Sequence, residues 1–499
     1  MHSRSIPRRA IQTTSRIMLA DAPIHYLPNE ILSEIFYQAC PSSGANSATL
    51  FPIHITHVCS TWRDLAIHLP CLWTRIIIDE SMNDSQGHYS LVSLYLSRSS
   101  PQPFDLSITI PCPNLCHLIF QHSARFRTWH LLLTPEHIRP QSPLVFIKDN
   151  IPLVEEIGFD WEILPFSQDP PADPNDNSTN PKRRRRTCAL GDIPKLQRLN
   201  LYSVDCYISR IGFPWMQIRH LTLTSSWSNN IDEALFLCPN LESAHFDYIY
   251  VRKDYSLRDD PTPFTCASLS KLSVNASYGR VGFLPQYAQL PSLEELELGG
   301  PGENDTDCEA MVEDIQALLK RSTCLLQSLT ITGKGIPSSH LTTLLSGIPS
   351  LTSFSFSNYY GTPGTDLTDE FLERLILPCD AAFNAPLKPS LLPPLLPKLS
   401  RLTLKHRPLV PVNIDLILPV LESRRCTHPC PPPCAGTTKA SFSQPRLLRH
   451  ADSPQPHSLL RYADLGNLYG LGGTCLSDVS SRLQKLQADG LEVWYMLPG

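Results

Sequence analysis

The chain has 499 residues and a formal net charge of −5, from 42 basic and 47 acidic residues. This near balance provides no overall field that would attract nucleic acid or an anionic membrane. The 47 prolines are about twice the ordinary share, which excludes coiled coils and long helical bundles. No apolar run approaches the roughly 18 to 20 residues of a membrane span, so we expect a soluble protein with no membrane partner.

Residues 1–23 predict a disordered, charged leader. Arg4, Arg8, Arg9 and Arg16 occur before the first acidic residue, Asp21. This composition is also compatible with a mitochondrial presequence, but it has no apolar stretch typical of a secretory signal. The sixteen cysteines are therefore predicted to be reduced thiols, several of them in core positions.

Residues 24–79 predict a small module of three helices. The first begins at Pro28, whose fixed backbone angle suits a first helical turn. Ile31, Leu32, Ile35 and Phe36 then form one apolar stripe. A loop from Cys40 to about Phe51 precedes a second apolar segment that ends at Val58 and Cys59.

A capping box at Thr61 and Asp64 predicts the start of the third helix, which runs until Pro70 and leads into the extended segment RIIID. Three helices of this size bury too little apolar surface among themselves. The remainder either packs on the following domain or contacts a protein partner, and periodicity alone leaves both readings open.

The segments LPNEILSEIF and VCSTWRDLAIHLPCLW resemble an F-box, the module that attaches substrate receptors to the Skp adaptor of cullin-RING ubiquitin ligases. The resemblance covers about a tenth of the chain and departs from the pattern in its longer first loop. It implies adaptor contacts at Leu27, Pro28, Ile31, Leu32 and Ile35, completed or supported by Val58, Cys59, Trp62 and Leu65.

A second pattern recurs through residues 80–425: often a proline, one residue, and then L-x-x-L-x-L with other apolar residues allowed. Its first apolar positions are residues 115, 154, 196, 218, 241, 269, 293, 326, 351 and 399. Steps of 22, 23, 28, 24 and 25 residues fall in the 20–29 range of leucine-rich repeats. The final L-x-L has the period of a strand with one buried face. Helical connectors are predicted at Cys308–Lys320, Ser338–Leu345 and Asp369–Leu377.

This pattern resembles the degenerate leucine-rich repeats of many F-box proteins, including those of fungi. The predicted fold class is therefore α/β, with a short three-helix F-box-like module followed by an irregular leucine-rich-repeat solenoid. Residues 166–187 predict a flexible insertion. Its basic run Lys182–Arg186 is a nuclear-import signal, an anion-binding patch or a solvated loop, and composition alone leaves these readings open. Nucleic-acid binding is not favoured, because no aromatic residues interleave with the arginines.

The outward strand positions of the predicted repeats are polar and chemically mixed, which suits recognition of a protein. The alternative is a solvated surface with no partner. Candidate target-binding residues are Tyr202, Thr224, Asp247, Asn275, Glu297, Thr332 and Lys405.

Residues 426–456 are rich in Pro, Cys and His and predict a disordered insertion. Cys426, His428, Cys430 and Cys434 could ligate zinc, but no second pair follows at the usual distance, so we expect no metal site. Residues 457–499 predict a terminal repeat, with a helix ended by Gly490 and an apolar alternation, LEVWYM.

The sequence has no nucleophile elbow, phosphate loop, HExxH or dinucleotide fingerprint, so we expect no catalytic residues and no cofactor. The resemblances imply a substrate-recognition subunit of an SCF-type ubiquitin ligase. Its partners would be a Skp-type adaptor, a cullin and an unidentified target protein, in the cytoplasm, the nucleus or both. The alternative is a non-ligase leucine-rich-repeat scaffold, which the arginine run would direct to the nucleus or to an anionic partner.

Overall fold

A computed structural model describes residues 23–40, 45–79, 85–109, 113–131, 151–160, 193–203, 208, 213–250, 263–276, 284–300, 305–333, 336–358, 367–377, 393–406, 414–425, 460–467 and 476–496. They form two compact units, the first up to Leu196 and the second from Gln197 onward. Both units combine helices with parallel strands, which confirms the predicted α/β class. The predicted leader up to residue 22 and the insertions at 166–187 and 426–456 lie outside the described residues.

The first unit opens with the three helices that the sequence predicts. They are α1 (Asn29–Ala39), α2 (Ala45–Thr56) and α3 (Ser60–Ile67), and α3 packs against both others. The predicted loop from Cys40 to about Phe51 is wrong from Ala45 onward, because α2 already begins there. Ala45, Ala48 and Leu50 are good helix formers, and they outweigh the intervening Asn and Ser.

The start of α3 also differs from the prediction. Cys59 is its N-cap, and the Cys59 Sγ accepts a hydrogen bond from the backbone N–H of Trp62 at 3.4 Å. Thr61 and Asp64 both lie inside the helix, so the predicted capping box is wrong. A 3-10 turn at Pro70–Trp73 then leads to β1 (Arg75–Ile78), which is the predicted extended segment.

The rest of the first unit alternates helices and strands: α4 (Gln86–Arg98), β2 (Phe104–Ile108), α5 (Pro113–Phe120), β3 (Phe126–Leu131) and β4 (Glu156–Asp160). The four strands pair in parallel in chain order. The repeat phrase at Pro113 is therefore a helix, and predicting a strand there was wrong. Leu115, Cys116, Ile119 and Phe120 are all buried, at the spacing of one helical face.

The second unit contains a larger set of strands: β5 (Arg198–Tyr202), β6 (His220–Thr224), β7 (Ser243–Ile249), β8 (Phe264–Thr265), β9 (Lys271–Ala276), β10 (Ala288–Gln289), β11 (Glu295–Gly299), β12 (Ser328–Gly333), β13 (Ser353–Asn358), β14 (Arg401–His406), β15 (Tyr462–Asn467) and β16 (Glu492–Met496). The short β8 and β10 pair with each other. The other ten lie side by side in chain order, and each of these pairings is parallel.

Helices connect most of these strands: α6 (Asn229–Leu237), α7 (Asp305–Ser322), α8 (Ser338–Ser346), α9 (Asp369–Leu375), α10 (Ile414–Ser423) and α11 (Leu476–Ala488). The three predicted connectors correspond to α7, α8 and α9, and the predicted terminal helix and strand correspond to α11 and β16. Each helix from α7 to α10 packs against the next, which gives the second unit a helical layer.

The repeat phrases after Pro113 each contain a strand, and their leading apolar residues form the core. From Val154 to Leu399 the nine leading residues are at most 1% exposed. Within the strands, alternate apolar residues such as Leu296 and Leu298 of β11 are also buried. Cys116, Cys238, Cys266 and Cys308 are buried free thiols, which confirms the prediction of core cysteines.

Residues with a positive φ angle recur at or near the carboxyl ends of several strands. Ser203, Ser225, Tyr248, Gly300 and Gly333 have φ values of 54°, 54°, 51°, 67° and 128°. The N–H groups of Ser203, Ser225 and Gly300 each donate to a carbonyl of the next strand at 2.8–3.0 Å. At Gly300 an added Cβ would collide with the carbonyl oxygen of Ala276, so this position requires glycine.

Arg424 is a buried cation that ties separate parts of the second unit together. Its side chain is 2% exposed and donates to the carbonyl oxygen of Leu375 at 3.0 and 2.7 Å. It also donates to Leu395 at 2.8 Å and Leu396 at 2.7 Å. Burial lowers the pKa of Arg424 to about 10, which leaves it protonated at neutral pH. These carbonyl dipoles therefore compensate a charge taken out of water.

We expect Arg424→Ala to lower the free energy of unfolding by about 3 kcal/mol or more, because three buried carbonyls lose their donor. The matched control is Arg482→Ala, which removes the partly exposed Arg482–Glu422 ion pair at 2.7 Å and should cost about 1 kcal/mol or less. Urea unfolding of the full chain, followed by hydrogen exchange in α9 and α10, measures both. Equal losses would contradict the role assigned to Arg424.

Candidate functional site

The apolar stripe of α1 is divided between the interior and the surface. Leu32 and Phe36 are each 2% exposed, whereas Ile31 is 50% and Ile35 is 39% exposed. Successive residues of an α-helix are rotated by about 100° around the helix axis. Ile31 and Ile35 each come one position before a buried residue, Leu32 or Phe36, so they lie on a neighbouring face of α1. Half of the predicted stripe therefore packs inside the first unit and half faces solvent.

Aromatic packing holds the three helices in place beneath this surface. Phe36 of α1 meets Trp62 of α3 edge-on, with ring centroids 4.8 Å apart. Trp73 is fully buried, donates its Nε1–H to the carbonyl of Ala66 at 2.8 Å, and packs edge-on against Tyr95 of α4. These contacts join α1 to α3 and continue to α4, and none of them involves the exposed isoleucines.

Large exposed apolar side chains are concentrated in the helical segment, by which we mean α1, α2, α3 and the few residues just before α1. Of the thirteen that occur among the described residues, six lie between residues 26 and 58. We call them the N-terminal apolar set: Tyr26, Ile31, Ile35, Tyr37, Leu50 and Val58. Tyr26, Tyr37 and Leu50 were missed by the sequence reasoning, because Leu50 was placed in a loop and neither tyrosine belongs to the helical stripe.

The remaining predicted adaptor residues have different exposures. Pro28 is exposed, while Leu27, Cys59, Trp62 and Leu65 are half-buried. Leu32 lies in the interior and supports the exposed isoleucines instead of facing solvent.

Two thiols lie close to this segment. Burial raises the pKa of Cys40, with an opposing effect from Arg75, and burial likewise raises the pKa of Cys71. Both therefore favour the neutral thiol over the reactive thiolate.

The second candidate surface is the outward face of the second unit's sheet. The strand register places Tyr202 opposite Thr224 and Thr224 opposite Asp247. Asn275 donates to Asp247 Oδ1 at 2.8 Å, so these two predicted residues are in direct contact. Further along the same row, Asn275 lies opposite Gly299, Gly299 opposite Thr332, Thr332 opposite Ser357, and Ser357 opposite Lys405.

Six of the seven predicted target residues thus share one row across the sheet, and Glu297 lies in the adjacent row, opposite Ser273 and Thr330. Lys405 forms an ion pair with Asp464 of β15 at 2.8 Å, a partner that the repeat phrases did not identify. A shallow groove of about 270 Å³ crosses β6, β7, β9, β11 and β12 and includes Glu297.

Comparisons with known proteins do not assign the chain to a family. No family model matches it, and no curated protein matches it either. Among the residues that the structure describes, no helix is long and apolar enough to cross a bilayer.

Substitutions in α1 should separate its buried face from its exposed face. Leu32→Ala should lower the stability of the first unit by about 2–4 kcal/mol, because it leaves a cavity in the core. Ile31→Ala should cost less than about 1 kcal/mol, since half of that side chain is already in water. Hydrogen exchange in α1 and α3 measures both effects. Equal destabilisation would show that Ile31 belongs to the core.

Proposed function

We propose that this chain is a substrate-recognition subunit of an SCF-type cullin-RING ubiquitin ligase. The helical segment would act as an F-box and bind a Skp-type adaptor, which links it to the cullin. The sheet of the second unit would act as an irregular leucine-rich-repeat solenoid that binds a target protein. The protein would work in the cytoplasm, the nucleus or both.

The main support is the N-terminal apolar set. Ile31 and Ile35 are exposed even though the helices below them are well packed through Phe36, Trp62 and Trp73. Covering an apolar side chain of this size contributes about 1.5–3 kcal/mol when it is fully buried. A partner that covered several members of the set would therefore gain substantial binding energy without refolding the module.

The second unit supports the other half of the proposal. Eight of the ten repeat phrases end in a parallel strand of the second unit, and the alternate strand positions form an outward polar face. Such a face can hold a protein through many hydrogen bonds. A receptor of this kind contributes proximity, because it raises the effective concentration of the target near a thioester carried by another subunit.

The test is capture of a Skp-type adaptor by the full chain after co-expression. The wild-type chain should retain the adaptor in a one-to-one complex. Ile31→Asp combined with Ile35→Asp should reduce capture by at least about tenfold, because two carboxylates would enter an apolar contact. These isoleucines are cleaner targets than Trp62, whose ring packs on Phe36.

Leu325→Asp is the matched control, because Leu325 is 75% exposed and lies in the second unit. It should capture the adaptor as the wild type does. Absence of adaptor from the wild-type complex, or equal capture by the double variant, would reject the ligase assignment and favour the scaffold alternative.

A further inference from the structure

The groove across the second unit's sheet is built from two rows of outward side chains. One row contains His220, Ser243, Lys271 and Glu295, on four adjacent strands. The other row includes Ser273, Glu297 and Thr330, two residues further along their strands. Neighbouring strands are about 4.8 Å apart, so each row presents a side chain at roughly that interval.

The first row satisfies its own polar groups. The Nδ1 atom of His220 lies 2.8 Å from the Ser243 hydroxyl oxygen. The Lys271 ammonium forms an ion pair with Glu295 Oε1 at 2.9 Å. The charges of Lys271 and Glu295 therefore offset each other within the groove.

Glu297 differs from these residues. Its side chain is exposed, and it makes no hydrogen bond or ion pair with any residue that the structure describes. Its cross-strand neighbours in the same row are two hydroxyl residues, Ser273 and Thr330, which can add hydrogen bonds to a bound group.

The nearest outward cation beyond Lys271 in the same row is Arg401 of β14, which lies opposite Ser353. β14 is three strand spacings from β11, or about 14 Å at roughly 4.8 Å per strand. That separation is nearly twice the screening length of roughly 8 Å at physiological ionic strength. The Glu297 end of the groove is therefore locally anionic, although the sheet face as a whole carries charges of both signs.

We propose that this groove binds a cationic side chain, arginine or lysine, from an extended segment of a partner protein, with Glu297 as its counter-ion. The inference rests on the proposed receptor function in one respect: the segment would belong to the recruited target. A guanidinium fits the site especially well, because its planar fork can donate two parallel hydrogen bonds to one carboxylate.

The probe is a fluorescein-labelled peptide of alternating arginine and serine, titrated with the full chain and followed by fluorescence anisotropy. A second peptide carries citrulline, the neutral isostere, at each arginine position. The arginine peptide should bind the wild-type chain more tightly than the citrulline peptide. Equal binding of the two peptides would overturn the proposal.

Glu297→Gln should weaken binding of the arginine peptide roughly three- to fivefold, as expected for the loss of one exposed carboxylate–cation pair. The control is Glu313→Gln, which makes the same change of charge at an exposed position of α7. It should leave the affinity unchanged. The same loss in both variants, or no loss in either, would overturn the assignment of Glu297.

Adaptor capture by the same variants separates this inference from the proposed function. Glu297→Gln should capture the adaptor as the wild type does. If the adaptor is captured but peptide affinity is independent of Glu297, the groove inference fails and the receptor assignment stands. If the adaptor is not captured but peptide affinity depends on Glu297, the groove assignment stands and the receptor assignment fails.

Discussion

The second unit depends on the alternation of buried and outward side chains along its parallel strands. In β11, Leu296 and Leu298 are buried while Glu295 and Glu297 are exposed. A slip of one residue would bury both glutamates and expose both leucines, at a cost of several kcal/mol. Leu293, fully buried just before the strand, helps to fix this register. The positions of the charges in the groove therefore follow from the burial of leucines on the other face.

The three helices at the start of the first unit pack through a few large aromatic side chains. Buried Phe36 and Trp73, together with half-buried Trp62, let three short helices pack without using every apolar residue. Ile31 and Ile35 remain about half exposed, where they contribute less to folding than Leu32 and Phe36 do. An exposed apolar set of this kind is a liability for a chain with no partner, which is the physical reason for proposing that it forms an interface.

The sequence predicted those features that repeat and missed those that depend on distant contacts. Nine repeat phrases gave strands, but the tenth, at Pro113, has apolar residues that also fit a helix, and there the helix forms. β15 escaped detection because Ala463 replaces the usual larger apolar residue in its strand. Glu297 was placed correctly on the outward face, but the sequence did not show that its side chain has no partner among the described residues. That depends on the register, which pairs Lys271 with Glu295, 24 residues further along the chain.

Buried polar groups explain how the second unit accepts insertions of different lengths between its strands. Residues 378–392 separate Leu377 from the segment that leads to β14. The Ser423 hydroxyl accepts from the N–H of Leu377 at 3.1 Å, and Arg424 donates to Leu375, Leu395 and Leu396, so the end of α10 holds both flanks of this insertion. Asp232 likewise accepts from the N–H groups of Gln286 and Tyr287, just after residues 277–283. Loop-closure entropy grows only slowly with length, so once the flanks are fixed the intervening chain can lengthen with little effect on the core.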